Sequence, residues 1–154
     1  MANSFDPKQL MDFFDNIDKG HDHALWLNFK YRIAKISFGV IHGPDDNFAV
    51  VEEATAQEME MSFIPNLPKD YCSMSYDHIR HIKMDEDPLR HWESLNGTFA
   101  IMDGELLRFI LAGKIPLEKF IRAELAARGY DKDHRWCGFE KAEEIWLVED
   151  DTTI

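Results

Sequence analysis

The sequence predicts an α+β fold: an N-terminal helix, a small curved antiparallel β-sheet of four to five strands, and a C-terminal bundle of three to four helices packed on it. Three observations carry this expectation. Apolar residues near the N-terminus recur at helical spacing. Those between residues 24 and 84 alternate at strand spacing. After Asp87 the helical period returns between glycine and proline punctuation. A length of 154 residues suits a single domain, 1–154. Its expected parts are an N-terminal helix at 1–20, a sheet region at 24–84, a helical region at 87–149 and an acidic tail at 150–154.

Asp6 reads as an N-cap, Pro7 as the first helical residue and Gln9 as the return half of a capping box. Phe5 is placed to staple onto Leu10. Leu10, Phe13, Phe14 and Ile17 form one apolar stripe, and Gly20 reads as the helix stop. Leu25, Leu27, Phe29 and Tyr31 then alternate with Trp26, Asn28 and Lys30, which is strand spacing. Ile36, Phe38 and Val40 alternate again. The turn residues of "HGPDDN" and the returning "FAVVEE" predict a hairpin over 33–53. Met59, Met61 and Phe63 predict another strand, which the prolines of "IPNLPKD" break. "YCSMSY" alternates once more.

Helices follow. Asp87-Pro88 opens one with Leu89, Trp92 and Leu95 inward and Gly97 closing it. Asp103 to Ala112 carries Leu106, Leu107, Ile110 and Leu111 and stops at Gly113. Pro116 opens the next, with Leu117, Phe120, Ile121 and Leu125 on one side and Gly129 at its end. The last is "FEKAEEIWLV", with Phe139, Ala142, Ile145 and Trp146 inward.

The charge balance narrows the function classes. Seventeen basic and twenty-nine acidic residues leave a net charge of −12. Such a field repels nucleic acid and anionic membranes and attracts basic surfaces. Direct nucleic-acid binding needs a basic cluster, and the sequence offers none. Helix-turn-helix reading of the last two helices fails likewise: the connection from Gly129 to Phe139 is long and the second helix is acidic. The N-terminus lacks the basic start and apolar stretch of a signal peptide, and no apolar run approaches a membrane span. The expected location is cytoplasmic.

Catalytic motifs are absent from the sequence. There is no G-x-S-x-G elbow, no phosphate-cradling glycine loop and no C-x-x-C. Cys72 alternates with Met74 and Tyr76 and reads as a small core residue. Cys137 reads as a partly exposed loop thiol. No cofactor is expected. An alternative reading is a small metal-dependent hydrolase. On a helix, His78 and His81 share a face with Asp85 two turns on, and His21 and His23 form an H-x-H pair. Together the four imidazoles and the carboxylate make a conceivable metal set. That set needs them to converge in space.

The segment "RAELAARGYDKDHRWCGFEKAEEIW", about residues 122–146, resembles the tail of small uncharacterised proteins carried by bacterial plasmids and phages. The resemblance implies a place among the accessory genes of mobile elements and no catalytic residues. Its residues also have local uses: Gly129 and Gly138 for sharp turns, Asp131 and Asp133 for caps, Trp136 and Phe139 for wedging the loop into the helices.

The expected function is therefore a non-enzymatic acidic inhibitor. It would occupy a basic, nucleic-acid-binding surface of a larger protein, in the manner of anti-restriction or anti-CRISPR proteins, by imitating the phosphate charge of nucleic acid. The candidate carboxylates are Asp45, Asp46, Glu52, Glu53, Glu58 and Glu60, with Asp85, Glu86 and Asp87 as a second group. A third possibility is a homo-oligomeric structural protein of a mobile element.

Overall fold

The computed structural model describes residues 10–148. Seven helices and a four-stranded antiparallel sheet among these residues make the fold α+β, as the sequence predicts. The chain divides into two compact units, Met1–Ala100 and Ile101–Ile154. Phe5, Asp6, Pro7 and Gln9, and the tail at 150–154, lie outside the described residues.

The first unit is built on the predicted hairpin. Strand β2 (Phe38–His42) pairs with β3 (Phe48–Glu52), with Phe38 opposite Glu52 and His42 opposite Phe48. Asp46 takes the left-handed conformation in the turn, which Asp tolerates because its short side chain bonds locally. The Gly43 N–H closes the turn on the Asn47 carbonyl at 2.8 Å. Strand β1 (Asp12–Phe14) pairs with β3, and β4 (Ile64–Pro65) with β2, giving the order β1-β3-β2-β4. Pro65 sits on the edge strand, where a missing N–H is tolerated. At Gly39 the chains come very close: an added Cβ would lie 2.3 Å from the Ile64 carbonyl oxygen.

Both faces of the hairpin are covered, which is why "FGVI" and "AVV" are buried without interruption. On one face Phe38, Val40 and Val50 meet Ala24 and Leu27 of helix α1 (Ile17–Lys30). On the other, Ile41, Ala49 and Val51 meet Ala56 of helix α2 (Glu53–Glu58), with Met11 and Phe63 beside them. Asn28 fastens α1 to the sheet. It donates to the Phe38 carbonyl at 3.1 Å and accepts the Phe38 N–H at 2.7 Å.

Five local expectations are corrected here. The stripe from Leu10 to Ile17 is not one helix: residues 12–14 are β1, and α1 starts only at Ile17, capped by Asn16 accepting from the Asp18 N–H at 2.7 Å. Gly20 is no stop. It lies buried inside α1, where a Cβ would stand 3.5 Å from Val40. The alternating run from Leu25 to Tyr31 is the rest of α1. It is apolar on two sides, so a period of two and a helical period coexist in it. Met59 to Phe63 follows α2 as turn and coil, with Glu60 in the left-handed conformation. "YCSMSY" is a short 3₁₀ turn (Tyr71–Ser73) leading into helix α3 (Tyr76–Met84). The sheet therefore spans residues 12–65 rather than 24–84.

Helix α3 is capped by Ser75, whose hydroxyl accepts from the His78 N–H at 3.1 Å. Helix α4 (Arg90–Ala100) runs through Gly97 instead of ending there, and Leu95 is exposed.

The second unit contains α5 (Gly104–Ala112), α6 (Leu117–Arg128) and α7 (Phe139–Trp146), at the predicted positions. Asp103 caps α5, accepting from the Leu106 N–H at 3.1 Å. Gly129 ends α6 at φ 76°, and its missing Cβ leaves room for the Trp136 ring, which a Cβ would meet at 2.4 Å. Asp131 ties the following loop by accepting the Asp133 and Arg135 N–H groups, each at 2.9 Å. Trp136 and Phe139 pack edge to face at 5.2 Å but stay more than half exposed, so they do not wedge into a core. Leu106 and Leu111 of α5 and Leu117, Phe120 and Ile121 on one side of α6 are exposed too.

Candidate functional site

The richest polar cluster forms where α1 faces the segment from Asn66 to Tyr71 and helices α3 and α4. It centres on Asp22, which is 5% exposed. Asp22 stands on the α1 face that turns from the sheet towards the α3 side. The Tyr71 hydroxyl donates to Asp22 Oδ1 at 2.8 Å, and His78 Nε2 lies 3.2 Å from Oδ2. One buried carboxylate thus ties three chain segments. Each of its oxygens has a partner, which is the condition for burying such a group. Burial pushes the Tyr71 phenol up, and the bond to Asp22 and that carboxylate's charge push it further.

Around this hub lies an open cleft lined by His21, Asn66, Lys69, Tyr71, His78 and Trp92 among others. Its cavity volume is about 1150 Å³. Lys19 closes one side. Its ammonium meets Asp85 Oδ2 at 2.9 Å and also donates to the Asp87 carbonyl. Burial raises the Asp85 pKa, but the Lys19 bond and the Asp87 N–H outweigh it and hold the carboxyl below its ordinary value.

The metal reading depends on convergence, and the structure separates the histidines. His21 and His23 stand on α1, two residues apart and therefore on different sides of a helix. His21 Nδ1 lies 3.0 Å from Asn66 Oδ1, and His23 Nε2 lies 2.8 Å from Asp12 Oδ2. His78 and His81 do share a helix, α3. Yet His78 points to Asp22, while exposed His81 bonds the Asp77 carbonyl at 2.8 Å. Asp85 belongs to Lys19. Among the described residues no group of three His, Cys, Asp or Glu side chains is placed to hold a metal ion. Cys72 is exposed in the 3₁₀ turn rather than in a core, its thiol 3.2 Å from Asp70 Oδ2. Cys137 is half-buried.

The predicted partner-binding carboxylates fall into separate places. Asp45 and Asp46 occupy the hairpin tip. Glu52 and Glu53 stand at the opposite end, five residues along β3 and hence roughly 16 Å away at about 3.3 Å per residue. Glu58 and Glu60 follow at the end of α2. Asp85, Glu86 and Asp87 line the cleft rim. Among the described residues, Asp45, Asp46, Glu52, Glu53, Glu60 and Glu86 join no ion pair. The pairs fall instead on Asp77, Asp85, Glu105, Glu118, Glu124 and Glu144, with Asp12 and Asp22 held by histidines.

Sequence reasoning passed over Asp22, Tyr71, His91 and Trp92. His91 stacks on Trp26 at 5.1 Å and 13°, and meets Trp92 at 4.9 Å with the rings tilted by 38°. Burial lowers its pKa, His23 lowers it further, and Asp22 opposes both. The native imidazole therefore binds a proton less readily than the unfolded one, whose ordinary value is 6.5. The unfolded chain gains the proton first as pH falls. The contribution of neutral His91 is present above about 6.5 and is lost below it, down to the lower native value. The expected result is a falling unfolding midpoint between roughly pH 7 and pH 5, with a weaker fall in His91→Phe. Equal slopes in the two proteins would show that His91 titrates normally in the fold.

No helix among the described residues is long and apolar enough to cross a membrane. No family model matches the chain, and neither a curated protein nor a solved structure matches it.

Proposed function

We propose that the protein is a non-enzymatic acidic binder that occupies a basic, nucleic-acid-binding surface of a larger protein, as inhibitors from mobile elements do. The supporting observation is that Asp45, Asp46, Glu52, Glu53 and Glu60 join no ion pair among the described residues. Asp45, Asp46, Glu53 and Glu60 are exposed, and Glu52 is half-buried. A chain of net charge −12 concentrates its ion pairs elsewhere and leaves these acids to face solvent or a partner. The turn that carries Asp45 and Asp46 and the β3–α2 junction that carries Glu52 and Glu53 border the packed core of the first unit. Charges held this way steer a basic partner and give binding that weakens as salt rises.

The spacing sharpens the reading. The tip pair and the Glu52–Glu53 pair sit at two ends of the hairpin. They fit a basic surface with two positive regions better than one continuous pocket. The test is capture from a bacterial lysate with tagged protein and with the variant Asp45→Asn, Asp46→Asn, Glu52→Gln, Glu53→Gln, Glu58→Gln, Glu60→Gln. The expected result is a discrete basic partner, released by high salt and by competing duplex DNA, and not captured by the variant. Capture that ignores salt, DNA and the substitutions would sink the proposal, as would no capture at all.

A further inference from the structure

A second cavity, of about 620 Å³, lies on the side of α1 that carries Leu25, Trp26 and Phe29, with Arg32 of the 3₁₀ turn Arg32–Ala34 just beyond the helix end. That volume falls in the range of small-molecule sites. Leu25, Trp26 and Phe29 follow one another at i, i+1 and i+4 on one side of the helix. Facing them are Pro68, Lys69 and Tyr71 from the segment before α3, and His91 and Trp92 from α4.

The wall is a row of rings. Phe29 stacks on Trp26 at 6.2 Å and 28° and Trp26 on His91, while His91 meets Trp92 tilted by 38°. Trp92 meets Tyr71 edge to face at 5.3 Å. Phe29 is 59% exposed and Trp26 36%, so a large flat apolar area faces the cavity opening instead of being spent on the core. Flat rings offer stacking to another flat ring. Trp92 Nε1–H, a buried donor on this wall, has no acceptor among the described residues.

The charge lining the cavity opposes that of the chain. Lys69 Nζ lies 4.9 Å from the Tyr71 ring centre and is paired with no carboxylate among the described residues. The Arg32 guanidinium lies over Phe29 at 4.5 Å, with Nη1 donating to the Phe29 carbonyl at 2.9 Å. Among the described residues no Asp or Glu lines the cavity. In a protein with twelve more acids than bases, an aromatic slot whose described lining holds Lys69 and Arg32 and no carboxylate runs against the overall charge.

We propose that this slot binds a small planar aromatic ligand carrying an anionic group, the ring stacked on the Trp26–His91–Trp92 wall and the anion facing Lys69. The site is separate from the hairpin carboxylates and does not depend on how they act.

Three matched probes test it: 2-naphthoate, the neutral 2-naphthamide and the cationic 2-naphthylmethylammonium. Binding is read from tryptophan fluorescence and from the indole N–H signals of Trp26 and Trp92 in NMR spectra. The expected result is saturable naphthoate binding that moves both signals, at least about tenfold tighter than the amide, with the cation weakest. Lys69→Gln, an exposed substitution, should remove most of the preference for the anion. Trp26→Phe should weaken all binding while the fold persists. Equal affinity for acid and amide, naphthoate binding that moves neither indole signal, or a preference unchanged by Lys69→Gln would each overturn the assignment.

Discussion

Asp22→Ala is expected to destabilise the first unit by roughly 2–4 kcal/mol, because the substitution leaves two partners without an acceptor. Asp22 is 5% exposed and accepts from the Tyr71 hydroxyl at 2.8 Å, with His78 Nε2 at 3.2 Å. The figure stays below that for a fully enclosed ion pair because His78 keeps 26% of its side-chain surface in water. Loss of the carboxylate separates α1 from the Tyr71 turn and from α3 together. Denaturant unfolding measures the loss. A companion signal isolates the contact itself: the Tyr71 phenol, held up by burial and by Asp22, should ionise at lower pH in the variant. Asp22→Asn keeps an acceptor for Tyr71 and should recover part of the stability. A loss under about 0.5 kcal/mol, with the phenol unchanged, would mean that Asp22 ties nothing.

Phe38→Ala should cost more, about 3–5 kcal/mol, the usual range for a large ring removed from a packed core. Phe38 is fully buried between α1 and the sheet, with Tyr31 at 6.1 Å and Ala24, Leu27, Val40 and Val50 in the same cluster. Both backbone groups of Phe38 are bound to Asn28, so the chain cannot readily slide to fill the hole. Calorimetry should show the transition of the first unit shifted down. If the units unfold independently, the transition of Ile101–Ile154 stays where it was. An unchanged profile would contradict the placement of the core.

The two proposals divide the surface of one unit by sign of charge. The hairpin ends carry Asp45, Asp46, Glu52 and Glu53, which join no ion pair among the described residues, and the α1–α4 slot carries cations beside aromatic rings. Each has its own variants, so neither result decides the other.

Much of this architecture was legible in the chain. "HGPDDN" between two apolar runs specified the hairpin through turn chemistry, which acts over a few residues. Asp103, Pro116, Gly113 and Gly129 bounded the later helices for the same reason: a cap or a left-handed residue is a local device. The acidic balance was equally plain. Tertiary packing decided the rest. Residues 12–14 became a strand because β3 offered them a partner, and Leu25 to Tyr31 stayed helical because Ala24 and Leu27 face the sheet while Trp26 and Phe29 face the slot. Asp22 looked like one acid in a polar "GHDH". Its importance comes from Tyr71 and His78, 49 and 56 residues away. The imagined four-histidine site failed for that same reason. Sequence spacing sets which residues share a helix face, but only the packing of separate segments decides whether two faces meet.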